Sequence, residues 1–192
     1  TLAKLLNEFS QKYPAVLFTL YNETVDSIKE RLDKGLVDIG LLLEPIDVTK
    51  YDYIRLDRQD TWGLLVREDH PLAEKASLTA QDVASCPLLL PLRENIRVEI
   101  LHWLGCEEKE LRIPLFYTLL SNAALLVAEG LGCAFCMDGA LATRSDSRLR
   151  FIPLEPRRMT HSVLVWKKNN LFSPAASLFI QAIHLLRARI ES

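Results

Sequence analysis

The sequence has no large excess of charge of either sign, since 23 Lys and Arg residues stand against 25 Asp and Glu residues. Domains that bind duplex DNA or RNA usually have a surface with net positive charge, so this chain is not expected to bind nucleic acid by itself. No apolar run approaches the roughly 18 residues of a membrane span, and no basic segment followed by an apolar one opens the chain like a signal peptide. The 192 residues, 49% hydrophobic and 25% charged, are typical of one globular domain or two small ones. The first residue is Thr1 rather than Met, as expected of a processed chain or an excised fragment.

Cysteine is scarce, with four residues in the chain. Cys133 and Cys136 form a C-x-x-C motif, which elsewhere is a redox pair or half of a zinc site. The motif lies in an apolar run, residues 131–137, that is typical of a buried strand, and no second pair of ligands follows it. We therefore predict reduced, structural cysteines, no metal site and a cytoplasmic location. His102 and Cys106, four residues apart on a predicted helix, form a weaker metal-ligand pair with no third ligand in view.

The apolar pattern predicts strands and helices that alternate along the chain, which indicates an α/β fold. Residues 16–21 and 37–43 are predicted strands on either side of a helix over residues 25–32, a βαβ unit with a parallel pair. No flexible linker separates the two groups of elements, so we expect extended strands to join the halves and a ligand to bind in the cleft between them. Further predicted strands cover residues 61–67, 87–90, 113–117, 131–137, 149–153 and 162–167, and later helices begin near Thr79, Ile96, Ser121 and Ser173.

Five segments, in this order, resemble the effector-binding domain of LysR-type transcriptional regulators. They are Phe9-Ser-Gln-Lys-Tyr13-Pro14 with Val16, Leu32-Asp-Lys-Gly35-Leu-Val-Asp38-Ile-Gly40, His70-Pro71-Leu72-Ala73, Val127-Ala-Glu-Gly130-Leu-Gly132, and Val165-Trp166-Lys167-Lys168 with Phe172-Ser173-Pro174-Ala175-Ala176. Each motif is weak alone, but together they extend from residue 9 to residue 176 and cover nearly the whole chain.

The resemblance implies a fold like that of type II periplasmic binding proteins, with two Rossmann-like subdomains joined by crossover strands. Regulatory subdomain I would comprise residues 1–66 plus 155–192, and subdomain II residues 67–154. The resemblance also implies a small-molecule effector and a homodimer that pairs residues 2–20 with residues 121–136 of a second copy, and a tetramer in the full-length protein. DNA would be bound only through an N-terminal winged helix-turn-helix domain, which is not present in this chain, and no membrane would be involved.

Ligands of open α/β sheets bind beyond the carboxyl ends of the strands, where helix N-termini present free N–H groups. The short hydroxyl and amide side chains predicted at these places suit a small polar or anionic molecule, and the family holds its effector at matching loops. Arg93 suits a carboxylate, whereas Glu44 favours a cationic, zwitterionic or uncharged effector. Thr24 and Ser121 are equally explained as helix caps. The predicted effector-binding residues are Thr1, Asn22, Glu23, Thr24, Glu44, Leu92, Arg93, Thr118, Ser121 and Asn122.

Motifs of catalysis are missing from the sequence: no G-x-S-x-G, P-loop or G-x-G-x-x-G occurs, and the four histidines lie in unrelated predicted elements. We therefore predict a ligand sensor that is not an enzyme and has no cofactor, in which the effector changes the oligomer that is bound to DNA. Two alternatives stay open: a solute-binding protein of a transport system and, with less support, an enzyme on the same two-lobed fold. The residues encoded upstream of Thr1 would separate these functions.

Overall fold

The structure, a computed structural model, describes residues 2–141 and 147–190. Helices and strands alternate along much of the chain, and no helix in these ranges has both the length and the hydrophobicity that crossing a bilayer requires. In chain order the elements are α1 (Leu2–Lys12), α2 (Val25–Asp33), β1 (Gly40–Leu43), β2 (Tyr51–Arg67), α3 (Ala80–Ala84), β3 (Leu88–Pro91), α4 (Glu94–Leu104), β4 (Leu115–Tyr117), α5 (Leu120–Ala128), β5 (Cys133–Met137), α6 (Asp138–Leu141), β6 (Leu149–Pro153), β7 (Met159–Lys167) and α7 (Pro174–Ile190), with 3-10 turns at Pro71–Glu74 and Glu108–Glu110.

The chain folds as two compact units. Unit 1 consists of Thr1–Arg58 with His161–Ser192, and unit 2 consists of Gln59–Thr160. The chain passes from unit 1 to unit 2 within β2 and returns within β7. The predicted architecture of two α/β halves joined by two crossover strands is therefore confirmed.

Unit 1 contains the antiparallel pair of β1 and β7, in which Gly40 lies opposite Val165. Helix α2 covers this pair closely, because a Cβ on Gly40 would lie 2.8 Å from Ile28 and 3.2 Å from Leu32. This close approach requires glycine and places Ile28 and Leu32 of α2 over the start of β1. Lys167, two residues past the partner of Gly40 in β7, donates to the carbonyl of Asp33 at the end of α2 at 2.8 Å. The end of α2 therefore lies toward the start of β1, and the N-terminus of α2 lies toward the carboxyl end of β1.

A second layer of unit 1 packs α1 against α7 through aromatic rings. Phe9 and Phe179 are buried with ring centroids 5.0 Å apart, and Phe18 packs edge-on against both rings. Helix α7 begins as the sequence predicts, since the Ser173 Oγ accepts the N–H of Ala176 at 3.2 Å.

The strand predicted in residues 16–21 is not formed in the described structure, and that prediction was wrong. Val16 and Phe18 are half-buried against the layer of α1 and α7, but Leu17 and Leu20 are 90% and 74% exposed. Alternating hydrophobicity reports one-sided packing, whereas a strand also needs a partner backbone for its N–H and C=O groups. The predicted parallel βαβ pair is wrong for the same reason, because β1 pairs with β7 in the antiparallel direction.

Unit 2 contains three parallel strands in the order β5, β3, β4. Leu89 lies opposite Ala134 on one side and opposite Leu115 on the other. Leu88, Leu89 and Leu90 are fully buried, as expected of a central strand covered on both faces. The second half of β2 pairs antiparallel with both β5 and β6.

Glycines in the left-handed conformation follow two helices of unit 2, as predicted. Gly105 ends α4 with φ 69°, and Gly130 follows α5 with φ 84°. The N-cap of α5 is Leu119, so the helix begins one residue earlier than predicted. Ser121 therefore lies inside the first turn of α5 and is not its N-cap.

Candidate functional site

The predicted site residues of unit 2 lie at one edge of its parallel strands. Pro91 is opposite Tyr117 at the ends of β3 and β4, and the Leu92 N–H donates to the Tyr117 carbonyl at 2.7 Å. The loops after the two strands, which contain Arg93 and Thr118, therefore leave the sheet side by side. The structure brings these residues together at the edge where open α/β sheets bind their ligands.

Two helices begin at this edge, and neither has a side-chain hydrogen bond at its N-cap. Helix α4 follows Arg93 and helix α5 follows Leu119. The N–H groups of a first helical turn and the helix dipole favour an anionic or acceptor group. Thr118 and Asn122 are exposed and Ser121 is half-buried, so hydroxyl and amide groups accompany these helix ends.

Arg97 supports the same edge, and sequence reasoning missed it. Its guanidinium donates to the Leu92 carbonyl at 2.8 Å, pairs with Glu108 at 2.7 Å and lies 5.4 Å from the centre of the Phe116 ring. Arg97 thus holds the loop after β3 against α4 and brings positive charge to the edge. The available signal was its position one helical turn after Arg93.

Tyr117 ties the end of β4 to the neighbouring part of unit 2. Its hydroxyl donates to the Phe135 carbonyl at 2.6 Å. Burial raises the pKa of the Tyr117 phenol above its usual range, so the phenol stays protonated and keeps donating this bond at physiological pH. The backbone immediately before Thr118 is therefore held in place.

Three predicted residues of unit 1, Asn22, Glu23 and Thr24, lie at the N-terminus of α2. Thr24 caps this helix as the sequence predicts, since its Oγ1 accepts the N–H of Ser27 at 3.3 Å. Glu23 accepts a hydrogen bond from the Ser27 hydroxyl and lies 3.4 Å from the Arg31 guanidinium. Both side chains therefore make local bonds, whereas the Asn22 side chain is exposed.

Glu44 directly follows β1, toward the same edge as the start of α2. Arg55 donates to the Glu44 Oε1 at 3.0 and 2.6 Å, and the His161 Nδ1 lies 3.6 Å from the Oε2. The guanidinium offsets the carboxylate charge, which weakens the expected repulsion between Glu44 and an anionic effector. Thr1, the remaining predicted residue, lies outside the described residues.

The C-x-x-C motif is divided by the geometry of β5. Side chains alternate along a strand, so residues three apart point to opposite faces. Cys133 packs in a cluster with Leu88 and Phe135, and Cys136 packs in a separate cluster with Val127. The four cysteines are free thiols, as predicted, and the motif is not a chelating pair.

Cys133 instead meets two residues from elsewhere in unit 2. Its Sγ lies 3.9 Å from the His70 Nε2, and the Cys86 Sγ lies within 4.8 Å of the Cys133 Sγ and of a ring nitrogen of His70. Among the residues that the structure describes, His70, Cys86 and Cys133 form the one group of at least three His, Cys, Asp or Glu side chains close enough to share a metal ion. His102 and Cys106 do not belong to this group. Sequence reasoning missed the group because 63 positions separate His70 from Cys133.

Comparisons with known proteins agree with this architecture. A family model described as LysR substrate binding domain matches residues 1–186. The chain is 34% identical over 87 residues to the uncharacterised HTH-type transcriptional regulator YvbU of Bacillus subtilis strain 168, covering 45% of this chain and 29% of that protein. It is 26% identical over 182 residues to the uncharacterised HTH-type transcriptional regulator YybE of the same organism, covering 93% of this chain and 61% of that protein. The chain thus spans less than two thirds of the length of these relatives.

The fold is shared with the regulatory domain of CcmR from Synechocystis PCC6803, whose structure is in complex with 2-PG. The TM-score is 0.81 at 17% sequence identity, and the alignment covers 96% of this chain and 90% of that chain. The type II periplasmic-binding-protein-like fold expected from the sequence is therefore confirmed. Because the family model extends over nearly all of the chain and the fold agrees with it, this chain belongs to the LysR substrate binding domain family.

Proposed function

We propose that this chain is the effector-sensing part of a LysR-type transcriptional regulator and binds a small molecule without converting it. The observation that carries the proposal is the edge of unit 2, where two helix N-termini accompany the exposed side chains of Thr118 and Asn122. The CcmR regulatory domain binds 2-PG on the same fold, which supports a ligand site in this chain. The effector acts by binding one arrangement of the DNA-bound oligomer more tightly than another.

The charges at both edges favour an anionic or zwitterionic effector. Helix N-termini attract acceptor groups such as carboxylate or phosphate, and Arg93 and Arg97 stand one turn apart at the start of α4. In unit 1, Arg55 offsets the charge of Glu44.

In unit 2, direct contacts with the effector are assigned to Thr118, which directly follows β4, and to Asn122 in the first turn of α5, because both have exposed hydrogen-bonding side chains. In unit 1, the contact is assigned to Asn22, which is exposed just before the N-terminus of α2. The other predicted residues within the described ranges have supporting roles. Those of unit 2 lie beside the direct contacts, and those of unit 1 shape the loops through the hydrogen bonds described above. The supporting set is Leu92, Arg93, Ser121, Glu23, Thr24 and Glu44.

Thr118→Ala and Asn122→Ala test this assignment. The probes are 2-PG, followed by small carboxylic acids and phosphate esters, screened by thermal shift and measured by titration calorimetry. Each variant should weaken binding by a factor of roughly 5 to 150, since removing one hydrogen-bonding partner of a desolvated ligand costs about 1–3 kcal/mol. Ser147→Ala, which removes a small exposed hydroxyl just before β6 in unit 2, should leave the affinity unchanged. Unchanged affinity in both test variants, or chemical conversion of the bound compound, would contradict the proposal.

The functional form of the domain is a homodimer, within a tetramer of the full-length protein. Leu17 and Leu20 are strongly exposed in unit 1 and Leu125 is 55% exposed on α5, so large apolar side chains are available on the two segments expected to pair. In the dimer, residues 2–20 of one copy meet residues 121–136 of the other. Light scattering at tens of micromolar should show a dimer, and Leu125→Glu should shift it toward monomer. A monomeric wild-type protein would count against this assembly.

DNA binding belongs to a winged helix-turn-helix segment outside these 192 residues, because the net charge here is −2 and the relatives are longer. The site of action is the cytoplasm, where free thiols stay reduced. Reading the codons upstream of Thr1 tests both statements. A basic winged-helix segment supports the regulator, whereas a signal peptide would favour a solute-binding protein, and turnover of a bound ligand would favour an enzyme.

A further inference from the structure

A cluster of two thiols and one imidazole lies at the amino ends of the parallel strands of unit 2, opposite to the carboxyl edge considered above. Cys86 precedes β3, and Cys133 is the first residue of β5, which runs parallel to β3. His70 reaches the same place from the turn that follows β2. We refer to these three residues as the His70–Cys86–Cys133 cluster.

Backbone hydrogen bonds hold each residue of the cluster in position. The three N–H groups donate at 3.0, 3.0 and 2.8 Å to carbonyl oxygens of neighbouring segments, those of Arg67, Val83 and Pro87 respectively. Three separate segments therefore bring their ligand atoms together, and the backbone of each segment is fixed by a hydrogen bond. A binding site that is preorganised in this way needs little rearrangement to bind its ligand.

The ligand atoms lie within about 1 Å of the spacing that a zinc ion requires. A tetrahedral Zn²⁺ holds two thiolate sulfurs roughly 3.8 Å apart and each sulfur roughly 3.6 Å from an imidazole nitrogen. The Cys133 Sγ and the His70 Nε2 are 3.9 Å apart, and all three atoms lie within 4.8 Å of one another. Small side-chain rotations would therefore close the cluster around an ion.

Burial and charge select the ion. Cys133 is 1% exposed and Cys86 is 7% exposed, and an uncompensated charge at such depth is costly. Two thiolates and a neutral imidazole balance one divalent cation, and thiolate sulfur prefers Zn²⁺ over Mg²⁺ or Ca²⁺. The three ligands found within the described residues leave a fourth position for water. We propose that the His70–Cys86–Cys133 cluster binds one Zn²⁺ ion.

Zinc binding releases two thiol protons and moves a third proton within the His70 ring. The move of the third proton breaks a hydrogen bond in a backbone turn. The two thiol protons are released as the Zn–S bonds form. The His70 Nδ1 accepts the N–H of Leu72 at 3.2 Å, so the neutral ring carries its proton on Nε2. A Zn–Nε2 bond requires that proton to move to Nδ1, where it faces the Leu72 N–H and breaks this hydrogen bond. Zinc therefore loosens the turn Pro71–Glu74 directly after the crossover strand β2.

The first test is a metal titration of reduced, metal-stripped protein, with Zn²⁺ measured by competition with a chromogenic chelator and Co²⁺ used as a spectroscopic probe. One equivalent should bind, and Co²⁺ should show a thiolate charge-transfer band. Cys86→Ser and Cys133→Ser should each weaken Zn²⁺ binding at least about 100-fold, since each removes a ligand. Cys136→Ser is the matched control, because Cys136 is also buried in β5 but lies on the opposite face, in the hydrophobic cluster that contains Val127. It should bind like the wild type.

A second test uses the unaltered protein, in case a core variant does not fold. X-ray absorption at the zinc edge should show two sulfur ligands and one imidazole nitrogen, and hydrogen exchange of the Leu72 amide should become faster when zinc is added. Absence of stoichiometric binding, a shell without sulfur, an unchanged Leu72 amide, or loss of binding in Cys136→Ser would each overturn the proposal.

Discussion

Removing the hydroxyl of Tyr51 tests the polar contact between β2 and α2, in which this hydroxyl lies 3.1 Å from the Asp33 carboxylate and 3.5 Å from the Lys29 carbonyl. Tyr51 is 4% exposed, and its hydroxyl donates to the Asp33 Oδ1 at 3.1 Å, at the last residue of α2. Tyr51→Phe keeps the ring and its packing. Loss of a hydrogen bond to a carboxylate should lower the free energy of unfolding by about 1.5 kcal/mol at neutral pH.

The same bond should make stability depend on alkaline pH. Burial, followed by the hydrogen bond to Asp33, raises the pKa of Tyr51 from 10.0 to about 12. A raised phenol pKa means that the folded state favours the neutral form, so this stabilisation is complete below pH 10 and is lost as the pH rises toward 12. At pH 11 the wild type should have lost about 1.4 kcal/mol through this group, which Tyr51→Phe cannot lose. The difference between the two proteins should then be close to zero.

Urea unfolding followed by far-ultraviolet circular dichroism between pH 7 and pH 11 measures this difference. Tyr53→Phe is the matched control, because Tyr53 lies two positions along the same strand and is 46% exposed. The free energy of unfolding of Tyr53→Phe should be close to that of the wild type at each pH. A Tyr51→Phe difference that stays constant up to pH 11, or an equal effect of Tyr53→Phe, would refute the reasoning.

Three further changes have defined outcomes in unit 2. Gly63→Ala places a Cβ against the Phe151 ring of the neighbouring strand, so the free energy of unfolding measured with urea should fall by at least about 2 kcal/mol. Thr79→Ala removes the cap of α3 and should lower the midpoint of thermal unfolding through a loss of about 1 kcal/mol. The hydrogen bond from Lys75, followed by those from Thr79, lowers the pKa of Asp82 to about 2, so the contribution of Asp82 to stability is present above pH 4 and is lost as the pH falls toward 2. The free energy of unfolding of Asp82→Asn, measured as a function of pH, should therefore lack the decrease that the wild type shows between pH 4 and pH 2. The same pH dependence in both proteins would show that the bonds of Asp82 with Lys75 and Thr79 contribute nothing to stability.

Sequence reasoning succeeded where a structural signal is local. Thr24 caps α2, Ser173 caps α7, and Gly105 and Gly130 follow their helices in the left-handed conformation, because each feature depends on residues within about one helical turn. The order of segments that resembles the LysR family predicted the fold by the same kind of local pattern. The parallel strands of unit 2 then followed from short apolar runs such as the buried β3.

Pairing between distant segments was decided only by tertiary structure. Residues 16–21 have the alternation of a strand but no ladder, since strand formation depends on a partner that the segment's own sequence does not specify. The contact of Arg55 with Glu44 changes the charge expected at the edge of unit 1, and it crosses a turn between strands.

The cysteines show this division most clearly. Sequence spacing joined Cys133 to Cys136, and the side-chain alternation of a strand separates them onto opposite faces. The fold instead brings Cys133 to His70 and Cys86, through parallel strands whose amino ends meet. The sequence by itself determined the α/β class, the family and most helix ends, because short-range sterics and hydrogen bonds encode them. Tertiary structure alone decided which side chains share a site, because chain segments far apart in sequence become neighbours only when the sheet is assembled.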